Sequence, residues 1–189
     1  FWFAKDPVAG YVLRCADGWG NAEWGPPNII DTHDDNATTV IGSSATQYDD
    51  SQVTLTVPGP GYIVVTSSVR VKISHTYGTM DALELCHSTS SSSFGTDYWF
   101  SMVDEEIPSS YPTATDIDRH FSVQRTFEVT ASGTYTYYLV GRMVNGQDAQ
   151  DRFWFTHMTG IYYPYPIPVR EDAGGDAELL RAKLELDSQ

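Results

Sequence analysis

Gly61-Tyr62-Ile63-Val64-Val65-Thr66-Ser67-Ser68-Val69-Arg70-Val71-Lys72-Ile73 is the clearest strand in the chain. Ile63, Val65, Val69, Val71 and Ile73 alternate with Thr66, Ser68, Arg70 and Lys72, so one face is buried and the other wet. Before it lies the turn Pro58-Gly59-Pro60-Gly61, and before that Val53, Leu55 and Val57 share one face. Beyond it the pattern continues. Ala82 to Cys86 gives a strand with Leu83 and Leu85 inward, and Phe121, Val123, Phe127 and Val129 alternate with polar residues. Ser132-Gly133 turns the chain into Tyr135 to Val140, which ends at the strong turn signal Asn145-Gly146. Arg152 to Tyr163 closes the series, apolar on both faces, as a central strand or an oligomer surface would be.

Seven or eight strands between Thr38 and Tyr163 predict an antiparallel β-sandwich, and a jelly roll among sandwiches. Composition agrees. Twelve Tyr, eight Phe and five Trp with abundant Thr, Ser and Val suit pleated surfaces rather than helices. The remaining stretches read as loops: 31–52, polar and acidic apart from an extended piece at Thr38 to Ile41, and Asp104 to Asp118.

The N-terminal run Ala9-Gly10-Tyr11-Val12-Leu13, Asp17-Gly18, Gly20-Asn21-Ala22 to Trp24 reads as strand, tight turn, strand. A hairpin this small cannot bury its own apolar side chains, so it needs a partner surface. Three segments follow: a neck over residues 1–30, a jelly-roll head over 31–164, and a Pro-rich linker with a tail over 165–189. In the tail Asp176 can cap a helix from Ala177 to Leu186, too short to hold alone, so the tail is expected to fray.

The neck run resembles an element that recurs in the stems of trimeric phage tail fibres and bacterial surface fibres. Arg14-Cys15, Trp19 and Glu23 depart from its usual small residues. That resemblance implies a homotrimer, with the hairpin marking where a stem hands over to a head. Residues 53–164 in turn resemble the heads of the complement and tumour-necrosis-factor superfamily. The segments Gly-Tyr-Ile-Val-Val-Thr from Gly61, Gly-Thr-Tyr-Thr-Tyr-Tyr-Leu from Gly133 and Gly-Ile-Tyr-Tyr-Pro from Gly160 carry this likeness. It too implies trimers. The oligomer interface is expected at Tyr11, Val12, Leu13, Trp19 and Trp24 in the neck, with Phe153, Phe155 and Tyr163 on the last strand.

Charge narrows the partners. With 25 acidic against 11 basic residues, the formal net charge is -14. Such a chain repels phosphate backbones, so nucleic acid is excluded as the natural partner. No apolar run approaches the roughly 20 residues of a membrane helix, so no membrane insertion is expected and the location is expected to be extracellular or a virion surface. Cys15 and Cys86 have no metal-ligand spacing, and their pairing stays open.

Catalytic constellations do not emerge. There is no Gly-x-Ser-x-Gly elbow, and His157 reads as a satisfied interior histidine. Asp104-Glu105-Glu106 and Asp116-x-Asp118 read as solvated loop carboxylates ahead of cation ligands or a glycosidase pair. Asp31, Asp34 and Asp35 lack the spacing of a calcium loop. No cofactor is expected, and a divalent cation is possible only at these acidic loops. Tyr98 and Trp99, between a Ser-rich and an acidic loop, are the expected ligand platform, although Tyr98, Phe100 and Met102 also fit a core alternation. Asn36-Ala37-Thr38 is a glycosylation sequon, meaningful only in a eukaryotic secretory host. The expected function is a non-enzymatic attachment protein, the trimeric head of a fibre that binds surface glycan or protein. The alternatives are a capsid or decoration subunit and, behind it, a glycan-degrading enzyme.

Overall fold

The computed structural model of the chain describes residues 12–15, 22–25, 29–96, 98–112 and 115–165. Tyr11, Trp19 and the tail helix expected at 177–186 lie outside them. Two short strands, β1 (Val12–Cys15) and β2 (Ala22–Gly25), pair antiparallel as the N-terminal hairpin. Nine more follow: β3 (Ile30–Asp35), β4 (Thr39–Val40), β5 (Thr46–Val57), β6 (Gly61–His75), β7 (Asp81–Ser88), β8 (Val103–Ile107), β9 (Thr115–Val129), β10 (Gly133–Asn145) and β11 (Arg152–Pro164).

They form two facing antiparallel sheets. One has the order β3-β11-β6-β9, with β4 also on β11, and the other β5-β10-β7-β8. Apart from the short β4 and the β7–β8 hairpin, each strand lies in the opposite sheet from its predecessor. That alternation is the double Greek-key winding of a jelly roll. The alternation of β6 places Ile63, Val65, Val69, Val71 and Ile73 in the core, where they meet Val53, Leu55, Leu83, Leu85, Val123, Leu139, Met158 and Tyr162. At Asn145-Gly146 the chain turns with Gly146 at φ 70°.

Three expectations need correction. The acidic stretches 31–52 and 104–118 are largely strands, not loops. Each of the edge strands β3, β8 and β9 turns one face to water, so carboxylates fit their outer positions, and charged edges also discourage pairing with foreign strands. Ion pairs absorb the charge: Lys72–Asp116 at 2.5 Å, Arg70–Asp118 at 2.9 Å, and Arg119–Glu105 at 2.7 Å, which ties the edge of one sheet to the edge of the other. Tyr98 to Phe100 is a single 3-10 turn rather than a strand.

The third correction concerns Phe153, expected at an oligomer interface. It is 0% exposed within the single chain and packs against Tyr48 with ring centroids 5.2 Å apart. A bulge in β11 explains this. Phe153 pairs with Val71 and Phe155 with Arg70, which leaves Trp154 as an extra residue. One inserted residue inverts the alternation, so Phe153 points inward while Phe155 points out. The hydroxyl of Tyr48 reaches the carbonyls of Ala37 and Trp154, donating to one at a time, and so anchors the bulge to the loop before β4.

Candidate functional site

The two outer sheet faces are treated differently by the chain itself. Over β10 and β7 the segment after β7 folds back, and Phe94 settles on Cys86 and Val140 with Tyr98 and Tyr138 beside it. Arg142 lies over the Phe94 ring at 5.0 Å and donates to Glu84 at 2.6 Å. This cover explains why every residue of β7 is buried, although its sequence alternates. Cys86 is a free thiol there, pushed up to about 12, chiefly by burial.

The outer face of β3-β11-β6-β9 changes character along the strands. Cross-strand register places Ile30, Ile161 and Val64 in one row, next to a row of Tyr163, Tyr62 and Glu128. Ile30 is 55% exposed and Tyr163 46%. Next comes a polar row of Thr32, Thr159, Thr66 and Gln124. Beyond it a shallow pocket of about 560 Å³ is lined by the end of β3 (Asp34, Asp35, Asn36), by Ser68 and Arg70 of β6, His120 of β9, and Phe155, Thr156 and His157 of β11. The apolar rows start at Ile30, five residues after Gly25, where the hairpin ends. Ile30 and Asp34 are four residues apart on β3, about 13 Å.

Inside the pocket the polar groups hold one another in place. The carboxylate of Asp34 can only accept, so His157 donates to it from Nδ1 at 2.6 Å, and Nε2 of His157 lies 3.2 Å from the Thr159 hydroxyl. His157 is therefore a solvent-facing member of the outer face, not the interior histidine expected from sequence. Its even spacing with Phe155, Thr159 and Tyr163 is the sequence signal for this placement. Arg70 is fixed on two sides, by Asp118 at 2.9 Å and by the Trp154 ring at 4.6 Å. Phe155 stands 50% exposed at the rim.

Asp34, His157 and Thr159 are arranged like a carboxylate-imidazole-hydroxyl relay, but a nucleophilic centre also needs donors aimed at a developing oxyanion. The backbone N–H groups of β11 here are engaged in ladders to β3 and β6 on either side. A second imidazole-hydroxyl pair is sealed inside. His87 Nε2 lies 2.6 Å from Ser67 Oγ between the sheets, with burial pushing His87 down to about 3, so it stays neutral there. The His75–Asp81 contact is equally enclosed. Asp104-Glu105-Glu106, Asp116 and Asp118 lie on β8 and β9, where Glu105, Asp116 and Asp118 are spent on ion pairs. Among the described residues no group of three or more His, Cys, Asp or Glu side chains is placed to hold a metal ion.

Of the expected ligand platform, Trp99 is 64% exposed and stacks on Tyr98 at 4.4 Å, which stacks on Phe94 at 5.2 Å. Of the expected interface residues, Phe155 and Tyr163 share the outer face but stand eight residues apart, about 25 Å along β11. Trp24 is half-buried with its indole N–H unpartnered, and Val12 and Leu13 lie on β1.

No family model matches this sequence, and no curated protein matches it. Among solved structures, Eiger TNF from S. frugiperda is similar at 14% identity, over 76% of this chain and 98% of that one, with a TM-score of 0.34. Among the described residues no helix is long and apolar enough to cross a membrane.

Proposed function

We propose that the chain is a structural and attachment protein: the trimeric head of an extracellular or virion-surface fibre, which binds a surface glycan or protein through its loops. One observation carries the reading. The chain covers the outer face of one sheet with its own Phe94 and Tyr98, whereas over the apolar rows Ile30, Ile161, Val64, Tyr62 and Tyr163 on the other sheet the described residues place only the Tyr165 ring, edge-on to Tyr62, and leave Ile30, Tyr62 and Tyr163 exposed.

Those rows follow the N-terminal hairpin in sequence, and on this reading neck and head each face identical neighbours. Tyr11, Val12, Leu13, Trp19 and Trp24 supply the neck part of the contact, and Tyr163 the head part. Burying what is still exposed of each such side chain contributes on the order of 1 kcal/mol. A few such contacts cannot hold two subunits together against the entropy of association. Three-fold closure, which uses every subunit twice, and the hairpin itself are both required. Trp99 on its stacked base provides the receptor platform.

Sedimentation of the full chain at micromolar concentration checks the assembly. A species of three times 21.0 kDa is expected, and Ile161→Asp is expected to dissociate it without loss of the β-sheet circular dichroism signal. A monodisperse monomer overturns the reading.

A further inference from the structure

We infer that the pocket formed by Asp34, Asn36, Arg70, His120, Phe155 and His157 is a binding site for a neutral saccharide, distinct from the Trp99 platform. The site goes beyond the assembly proposed above, since all its residues come from one chain. The inference rests on the pocket's shape and on the bulge that builds it.

A pyranose presents an apolar face of C–H groups and an equatorial belt of hydroxyls, each both donor and acceptor. A complementary site therefore needs one aromatic face and several fixed polar groups of both kinds. Phe155 gives the aromatic face. Asp34 accepts, Arg70 and Ser68 donate, and Asn36 does both. The volume of about 560 Å³ suits one or two sugar rings.

Two of the polar groups are held before any ligand arrives. His157 is locked against Asp34 at 2.6 Å, and Arg70 lies between Asp118 and Trp154. Pre-ordered groups lose little conformational entropy on binding. One carboxylate oxygen of Asp34 is used by His157, while the side chain stays 77% exposed, so its second oxygen is open to a hydroxyl pair.

Phe155 keeps the outward parity of His157, Thr159 and Tyr163, while the extra residue Trp154 turns Phe153 inward and itself backs Arg70. Bulges that re-aim a side chain in this way concentrate at functional sites. The buried hydroxyl of Tyr48 keeps this bulge in place.

Charge selects the class of sugar. Arg70 is already neutralised by Asp118, and two further carboxylates line the pocket of a chain carrying -14 overall. An anionic saccharide would be repelled there. A neutral hexose or N-acetylhexosamine fits.

Saturation-transfer NMR on the full chain tests the site. The probes are glucose, galactose, mannose and N-acetylglucosamine, set against glucuronic and N-acetylneuraminic acids. At least one neutral sugar is expected to bind in the millimolar range. Phe155→Ala and, separately, Asn36→Ala are each expected to weaken it by about tenfold, as loss of a stacking face or a paired hydrogen bond does. Tyr77→Ala, at an exposed aromatic between β6 and β7 and outside the pocket, should leave that binding unchanged. Asn36 is exposed and outside every strand, so its variant keeps the test valid should Phe155→Ala disturb the sheet. Binding of the acidic sugars alone, absence of any neutral-sugar signal, or a loss that follows Tyr77→Ala rather than the pocket variants would overturn the assignment. Subunit mass, measured on the same samples, reports separately on the trimer.

Discussion

Two buried titratable residues give the molecule opposing responses to acid. His87 is held neutral, its value lowered to about 3 by burial first and Arg125 second. The unfolded chain therefore binds a proton at this position before the folded one does. Stability from His87 is complete above pH 6.5 and is lost as pH falls through that value toward 3. Asp151 is the reverse case. Burial raises it to about 6, against backbone donors at Ser74 and Asp148 that pull it down. The folded chain takes up a proton there first, so its contribution is present below about pH 4 and is lost as pH rises through 6. The His87 shift is the larger but the two mostly offset, so net stability is expected to drop by about 1 kcal/mol from pH 7 to pH 4. Urea melts across this range give the check. His87→Gln should flatten or reverse the slope, whereas Asp151→Asn should steepen the acid loss. A second residue-level prediction concerns Gly160. A Cβ there would lie 2.7 Å from Leu55 Cδ1 and 3.0 Å from Val53 Cγ2, so Gly160→Ala overpacks the core. It is expected to cost about 1–3 kcal/mol, read as a lowered midpoint in thermal unfolding.

At the level of the strand, what sequence shows depends on whether burial or pairing holds the element. β6 was readable because its inner face is mostly aliphatic and its outer face mostly polar, apart from Tyr62 and Val64 outside and Ser67 and His75 inside. β3 and β8 were not, because edge strands carry carboxylates that resemble loop residues until their partners are seen. Thr54 N–H donating to Asp31 at 2.6 Å, or Arg119 to Glu105, joins residues distant along the chain. The bulge at Trp154 left no local mark either, since Phe-Trp-Phe is apolar whichever residue is extra. This one unread residue sent Phe153 into the core while Phe155 stayed on the outer face. Tyr48 supplies the test of what holds the bulge. Tyr48→Phe preserves the ring against Phe153 but takes away the one hydroxyl donor that the part-buried carbonyls of Ala37 and Trp154 share. A loss of about 1–2 kcal/mol is expected in urea melts, together with weaker binding of whichever saccharide the pocket accepts. Loss of stability with unchanged binding would mean that the bulge persists without its anchor.

For the whole molecule, the assembly proposed here opposes apolar burial to charge. Each copy carries a formal -14, so three copies brought together repel one another. The surface offered for contact is apolar (Ile30, Ile161, Val64, Tyr62 and Tyr163), while Arg70, Lys72 and Arg119 are already paired within the chain. Association then gains nothing from ion pairs between copies and loses to long-range repulsion. Salt screens that repulsion over about 8–10 Å near physiological strength. The trimer is accordingly expected to strengthen as sodium chloride rises from about 20 to 300 mM, where an interface built on ion pairs would weaken. Sedimentation velocity at several salt concentrations distinguishes the two directions. Tyr163→Glu adds one more negative charge per copy at the centre of the contact. Its defect should therefore be worst at low salt and partly recovered at high salt, whereas Ile161→Ala, which removes only apolar area, should be impaired to the same degree throughout. If both variants respond to salt alike, the contact lies elsewhere on the chain.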